Sequence, residues 1–474
     1  MEKTISECFS QIKNGANIKQ GIKNGGFPIT RIETISNDKF NRDKMGYAGI
    51  TDASQYENYI LEDNDLLMSH INSPQYLGRT VLYKKVDNET IIHGMNLLRL
   101  KANKEVNPSY ARYYFYGNKF RQQIIKITKK SVNQASFAVN DLKRIKMYLP
   151  EMESQNNIVR KLDIISKLID FYNEILNKYD LLIKARFVEM FGTLDDPADE
   201  FEKATLKKLC NKITDGKHGG CTSEEGTQRY FVGAREIYDD EVHYDTAPEI
   251  NVEEFEKDYK RCNIEIGDFL IVNTGATIGK SAIASDERTE HTLLQKSVAL
   301  LKIKKDKLNP VFLKWCYRVN TRMYMVQSAS AQPNLLLSKI NGTVIYVPSI
   351  ERQNQFADFV QQVDKSEFIL EMVHLIEAQM HISIDKNSFN YSRFASHMQY
   401  LFRRKSEYTE ISSTNKKLFE LLKNEYPMTY QCVLGIKELI FNKFNWNIGD
   451  EELLYLILHV NRLCSHEGVT NESA

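Results

Sequence analysis

Cysteine is scarce. Seven occur in 474 residues, at positions 8, 210, 221, 262, 316, 432 and 464, and no two stand in a C-x-x-C pair. An odd number so widely scattered excludes a disulfide framework and gives no zinc-site spacing. It points to a reducing cytoplasm. Long apolar runs are missing as well. Leu439–Phe441 and Leu453–Leu458 are typical, far short of the ~18 residues of a membrane span. Met1-Glu2-Lys3-Thr4 opens no secretory signal, so no membrane is expected among the partners. Catalytic signatures are equally absent. There is no G-x-S-x-G, no H-E-x-x-H and no Cys/His constellation. Neither Asn-Pro-Pro-Tyr nor Asp-Pro-Pro-Tyr occurs, nor a Pro-Asp followed by Glu-x-Lys. No catalytic residue and no metal ligand is therefore assigned, and the chain is not read as an enzyme.

What is present is an ordinary globular balance, 42% hydrophobic and 26% charged. The length suggests about three domains. The formal net charge of +1 hides a gradient. Residues 1–150 carry +9, residues 151–200 carry −5, residues 201–350 carry +1 and the remainder −4. A basic first segment fits a polyanionic partner such as nucleic acid, and equally fits a solvated basic surface.

The chain repeats itself. Gln134–Pro150 reads QASFAVNDLKRIKMYLP and Gln332–Pro348 reads QPNLLLSKINGTVIYVP. Gln, Tyr148/Tyr346 and Pro coincide at an offset of 198, and Gln155 and Gln353 each follow five residues past the proline. Asp65-Leu66-Leu67 matches Asp268-Phe269-Leu270, Leu77-Gly78-Arg79-Thr80 matches Ile278-Gly279-Lys280-Ser281, and Pro108 matches Pro310, all in order. Two copies of one module of about 150 residues follow from this register. Each reads as mixed α/β. Val81-Leu82-Tyr83, Ile91-Ile92, Val298–Lys304 and Val344–Val347 are β-prone runs between turn residues. Asn107-Pro108 and Asn309-Pro310 open aromatic stretches that predict helix starts.

Between the copies, Ile158, Leu162, Ile165, Ile169, Tyr172, Leu176, Tyr179 and Ile183 step alternately by four and three, with no Gly or Pro from Glu151 to Phe191. That seam predicts a coiled-coil helix, with Gly192 as its stop. A second helix is expected after Pro348, from Ile350 to about Phe368, antiparallel to the first. At some 20 residues it covers only part of the seam. The remainder is left for a second copy, a helix of another subunit, or the tail.

Gly275-Ala276-Thr277-Ile278-Gly279-Lys280-Ser281 has three residues between its glycines, one short of a phosphate-binding loop. A turn shared by both copies, followed by a basic residue, is the better reading. Arg79 and Lys280 then either touch a phosphate backbone or stand exposed. Base edges are read by Arg, Lys, Asn and Gln, while phosphate contacts position the protein. The candidate contacts in copy one are Lys13-Asn14, Lys19-Gln20, Arg31, Arg79 and Asn133-Gln134. In copy two they are Lys212, Thr214, Lys217-His218, Arg235, Lys280, Gln332 and Asn334. Gln134 and Gln332 recur, and so serve equally well as structural caps.

The repeated block, a Gln, a strand ending in Leu-Pro or Val-Pro, a second Gln five residues on and a heptad helix, resembles the specificity subunit of type I restriction–modification systems over about residues 1–370. Phe27-Pro28-Ile29-Thr30-Arg31-Ile32 and Tyr230-Phe231-Val232-Gly233-Ala234-Arg235 are similar to that family's early strand. The resemblance implies an α/β fold with two target recognition domains, 1–150 and 193–348, separated by a spacer helix at 151–192. A shortened second spacer helix is expected at 349–370. It implies a non-catalytic, cytoplasmic subunit that reads a split site on double-stranded DNA and docks methyltransferase and restriction subunits. S-adenosylmethionine, ATP and magnesium would sit on those partners, with no cofactor in this chain.

From about Glu371 the pattern changes. Ser388–His397, Tyr426–Tyr430 and Asp450–Arg462 are similar to the PTS regulation domain of transcriptional antiterminators, an all-helical bundle expected at 371–474. Leu418, Leu421 and Leu422, and Leu453, Leu456 and Val460, line single helical faces. The resemblance implies that His397 and His459 accept phosphate from sugar-transport phosphocarrier proteins. Without it they are two half-buried bundle histidines. A phosphorylation-responsive transcription regulator, with the two modules binding DNA, is the alternative function.

Overall fold

The computed structural model describes all residues except 19–24, 37, 131–133, 321–322, 324–333, 405–414, 445 and 468–474. Two compact units divide the chain, Met1–Asn173 and Glu174–Ala474.

The first unit is built on four antiparallel strands, β1 (Phe9–Asn14), β2 (Leu66–Ser69), β3 (Thr80–Leu82) and β4 (Leu97–Ala102), in the order β1-β4-β2-β3. Leu66, Met68, Leu98 and Leu100 are fully buried against Phe115 and Phe120 of the helices that follow. The first of these, α1 (Pro108–Tyr116), starts where expected. Asn107 caps it by accepting from the Ser109 and Tyr110 amides, and Pro108 sits in the first turn, where no amide is needed.

A 40-residue helix, α2 (Met152–Phe191), runs from the first unit into the second and ends at Gly192, with φ +72°. The second unit then repeats the plan. Strands β5 (Cys210–Asp215), β6 (Phe269–Val272), β7 (Ser281–Ile283) and β8 (Val298–Ile303) take the order β5-β8-β6-β7. The register is the same, Leu97 opposite Ser69 in one copy and Val298 opposite Val272 in the other. Helix α3 (Pro310–Val319) is capped by Asn309 as α1 is by Asn107.

The duplicated Gln155 and Gln353 explain themselves here. Each is fully buried. Gln155 accepts from the Asn107 amide at 2.8 Å and donates to the Glu105 and Pro150 carbonyls. Gln353 accepts from the Asn309 amide at 2.9 Å and donates to Lys307 and Pro348. One side chain thus satisfies three buried backbone groups and ties the last strand of the module to its helix.

The glycine turn is a strand connection, not a phosphate loop. The Gly78 amide donates to Ser69 and the Gly279 amide to Val272, and a strand follows in both cases, where a phosphate loop would lead into a helix.

The second long helix departs from expectation. It was expected to give way to a separate tail at 370/371, yet α4 (Ile350–Met380) runs unbroken through that point. Its first half packs Phe356, Val360 and Val363 with Ile183, Phe187 and Phe191 of α2. The direction is antiparallel, for Arg352 reaches the Met190 carbonyl while Phe359 lies under Arg186. Its second half buries Phe368, Ile369, Met372, Val373 and Ile376 in the core of the tail, with helices α5 (Phe389–Arg404), α6 (Lys416–Glu425), α7 (Pro427–Phe444) and α8 (Asp450–Glu467). No Gly or Pro interrupts residues 350–380, so the backbone has no reason to stop where the side-chain pattern changes. The α2 seam is therefore covered from Ile183 onward, while Ile165 and Ile169 remain 50% and 55% exposed.

Candidate nucleic-acid interface and histidine pair

The predicted contact residues fall into three groups. Lys19, Gln20, Asn133 and Gln332 lie outside the described residues. Some of the others are already engaged. Lys217 forms ion pairs with Asp258 at 2.7 Å and Glu254 at 3.4 Å, and the hydrogen bond to Asp258 pushes its ammonium pKa up. Arg79 pairs with Asp38 at 3.2 Å and lies over the Tyr76 ring. Lys212 reaches the Lys260 carbonyl at 3.5 Å, and Lys13 sits 5.2 Å over the Tyr59 ring. Arg31 stands 3.5 Å from Glu33 and keeps an exposed side chain. The acidic partners of Lys217 lie 37 and 41 positions away, and that of Arg79 lies 41 away, so no local pattern announces them. The third group, Gln134, Arg235, Lys280 and Asn334, is exposed, although Asn334 is bridged to Thr274 and accepts from its hydroxyl at 3.3 Å.

Lys217 and Asn334 share an open cleft of about 370 Å³ in copy two, with Gly219, Thr274, Gln295, Lys296 and Ser297. Its floor is a parallel bridge between Lys217 and Gln295. The Lys217 amide donates to the Leu294 carbonyl, and the Lys296 amide to Lys217. Copy one contains the same bridge, Ala16 with Gly94. There the Ala16 amide donates to His93 and the Met95 amide to Ala16. Gly15 and Gly216 make this crossing possible. A Cβ on either would lie 2.1 Å from the His93 or Leu294 carbonyl oxygen.

The neighbouring loop is also shared. The Arg31 amide donates to the Thr34 hydroxyl at 2.8 Å, and the Gly233 amide to the Glu236 carboxylate at 2.8 Å. Arg31 therefore corresponds to Gly233, and Arg235 to Glu33. The two arginines singled out from sequence do not occupy equivalent places.

The tail brings its two histidines together. His397 on α5 and His459 on α8 stack with ring centroids 3.8 Å apart and planes 34° from parallel. They share a groove of about 370 Å³ with Ser396, Tyr400, Glu452 and Tyr455. Burial lowers both imidazole pKa values, that of His459 to about 4, and the Arg393 guanidinium adds to the effect on each. Both rings are thus neutral near pH 7, with a nitrogen lone pair available to a phosphoryl donor. Arg393 and Arg462 supply the positive charge that a phosphoryl group would need. Sequence reasoning passed over these arginines, although each stands within four positions of a chosen histidine.

Comparison with known proteins agrees with this division. The family model described as type I restriction modification DNA specificity domain matches residues 1–179 and 198–378, and the PRD domain model matches 370–463. A putative type I restriction enzyme MjaX specificity subunit of Methanocaldococcus jannaschii is 37% identical over 178 residues, covering 37% of this chain and 42% of that protein. A beta-glucoside operon antiterminator of Dickeya chrysanthemi is 25% identical over 95 residues, 20% of this chain and 34% of its own length. A solved type I restriction–modification S subunit from M. genitalium aligns over 87% of this chain and 96% of its own, with a TM-score of 0.43 and 12% identity. The chain thus matches less than half the length of either curated relative. With both α/β copies inside the specificity-domain match and the histidine bundle inside the other, the chain belongs to the type I restriction–modification DNA specificity family and carries a C-terminal PRD domain.

Proposed function

We propose that this chain is the sequence-recognition subunit of a type I restriction–modification complex, acting in the cytoplasm without catalysis of its own. Each copy reads one half of a bipartite site on double-stranded DNA, and α2 sets the gap between the halves. Methyltransferase subunits dock along the exposed apolar part of α2, and restriction subunits join through them. S-adenosylmethionine, ATP and magnesium are carried by those partners.

The observation that supports this reading best is duplication with divergence. Sheet order, register, helix caps and the Gln155/Gln353 clasp are held in both copies, while the side chains around the bridge differ. A scaffold kept twice with two different faces suits a reader of two different half-sites. Exposed Arg31, Arg235, Lys280, Gln134 and Asn334 are the proposed contacts. Lys13, Lys212 and Arg79 are proposed as phosphate-facing positions, and Lys217 as a support for the bridge. In the tail, His397 and His459 are proposed to accept phosphoryl groups from sugar-transport phosphocarrier proteins, which would make DNA modification responsive to sugar supply.

Co-expression with a cognate methyltransferase subunit, followed by sequencing of methylated DNA, tests the reading. A split, asymmetric motif that requires both proteins is expected. DNA binding by this chain alone, with no methylation in the presence of the methyltransferase, would favour the transcription-regulator alternative.

A further inference from the structure

The bridge flanks differ between the copies in a directed way. In copy one the crossing carries Gly94 and then Met95, whose side chain is 41% exposed. In copy two the same two positions hold Gln295 and the exposed Lys296. The facing loop varies reciprocally. Where copy two presents Gln295, the loop residue is Gly233, and a Cβ there would lie 2.4 Å from the Gln295 Oε1. Where copy one has Gly94, the loop residue is Arg31. The long side chain at this spot thus belongs to the bridge strand in copy two, Gln295 against Gly233, while in copy one the bridge position is glycine and the loop position is arginine. The two backbone hydrogen bonds of the bridge are the same in both, while the strand-to-loop bond differs, the Gln295 amide donating to the Val232 carbonyl and the Gly94 amide to the Thr30 hydroxyl. Around it the copy-two cleft is open and polar.

We propose that this crossing is the principal base-reading element of each copy, with Met95 and the loop residue Arg31 reading one half-site and Lys296 and Gln295 reading the other. The inference rests on the specificity-subunit reading and assigns it residues. The chemistry differs as two half-sites require. The Gln295 amide can pair with the two adjacent polar atoms of an adenine edge, and the Lys296 ammonium can donate to the acceptors of guanine. Met95 offers an apolar contact of the kind a thymine methyl takes, and Arg31 a forked donor for guanine. Residues engaged beneath the crossing, such as Lys217 on Asp258, hold the backbone and read nothing.

The test uses the full chain in complex with its methyltransferase subunit. Lys296→Met and Met95→Lys are each assayed by sequencing of methylated DNA and by binding to duplexes that vary one base at a time. Both sites are exposed, and Lys296→Gln serves as a milder variant should either fail to assemble. Each change is expected to alter or relax one half of the motif, with a loss of discrimination of about 5- to 150-fold at the affected base pair, and to leave the other half as it was. Unchanged preferences in both halves of an active complex would overturn the assignment and leave the specificity-subunit reading standing. So would a uniform loss across all sequences, the signature of a phosphate contact. If the unaltered complex yields no bipartite motif, the specificity-subunit reading itself fails, and this inference with it.

Discussion

At the scale of single residues, burial and neighbouring positive charge hold both tail histidines in the neutral form. His459 has its pKa lowered to about 4 by burial, by His397 and by Arg393. The free side chain titrates near 6.5. Between about pH 6.5 and pH 4 the unfolded chain therefore binds a proton that the folded chain refuses. The His459 contribution to the stability of the second unit is expected to be flat above this window and to fall as pH drops through it, against the opposite trend of the buried carboxyls of Asp364, Glu367 and Glu371, whose pKa values burial raises. Urea unfolding of the chain and of a His459→Asn variant at several pH values isolates this contribution as the difference between the two, which should grow as pH falls from about 6.5 towards 4. His397→Ala removes one of the contributors, so the His459 pKa should rise towards the ordinary value. An NMR titration in which it stays near 4 would leave burial and the neighbouring arginines as the cause. Gln353 makes a different residue-scale prediction. Gln353→Ala strands the Asn309 amide and two carbonyls, and is expected to cost about 1–3 kcal/mol, read as a lower denaturant midpoint. Because Gln155 has the same three partners in copy one, Gln155→Ala should cost a similar amount there.

At the scale of elements, the strength of a signal in sequence followed how local its physical cause is. The starts of α1 and α3 were readable because an Asn cap and a first-turn Pro sit next to each other in the chain. The span of α2 was readable from unbroken heptads and the glycine at its end. The unbroken α4 was not, because the change at 370 concerns which core the side chains enter, and helix propensity does not register that. Engagement of Lys217 and Arg79 was hidden for the same reason, since their carboxylates arrive through the fold. The α2 seam shows the consequence for assembly. Phe356 of copy two is fully buried against α2, while its counterpart in copy one, Ile158, is 37% exposed. The stretch from Ile158 to Leu176 thus keeps an apolar face towards solvent over several turns, more than scattered surface apolar residues require. Replacing Tyr172 and Leu176 together by Glu is expected to change stability by less than about 1 kcal/mol and to abolish the methyltransferase complex on size exclusion. An intact complex would count against α2 as the docking element.

At the scale of the whole molecule, the question is whether the PRD domain is a passenger. The continuity of α4 argues that it is not. A single 31-residue helix gives Phe356, Val360 and Val363 to the core of copy two and Phe368 to Ile376 to the core of the tail. There is no linker in which motion of one could be lost before it reached the other. The tail is also packed onto the helix at close range, for a Cβ at Gly435 of α7 would lie only 3.1 Å from the Leu375 side chain. A change of state at the histidine pair is therefore expected to act on the helix that braces copy two. The two cores should open together. In hydrogen exchange, amides of 356–363 and 368–376 are expected to report one common opening free energy. Lys365→Pro, placed between the two cores, removes an i→i−4 bond and costs about 3 kcal/mol. It should part the two segments, the tail opening first while copy two stays protected by its sheet. Separate opening energies already present in the unaltered chain would mean that the helix joins two independent bodies, and that a change of state in the tail has no mechanical route to the proposed DNA-reading face.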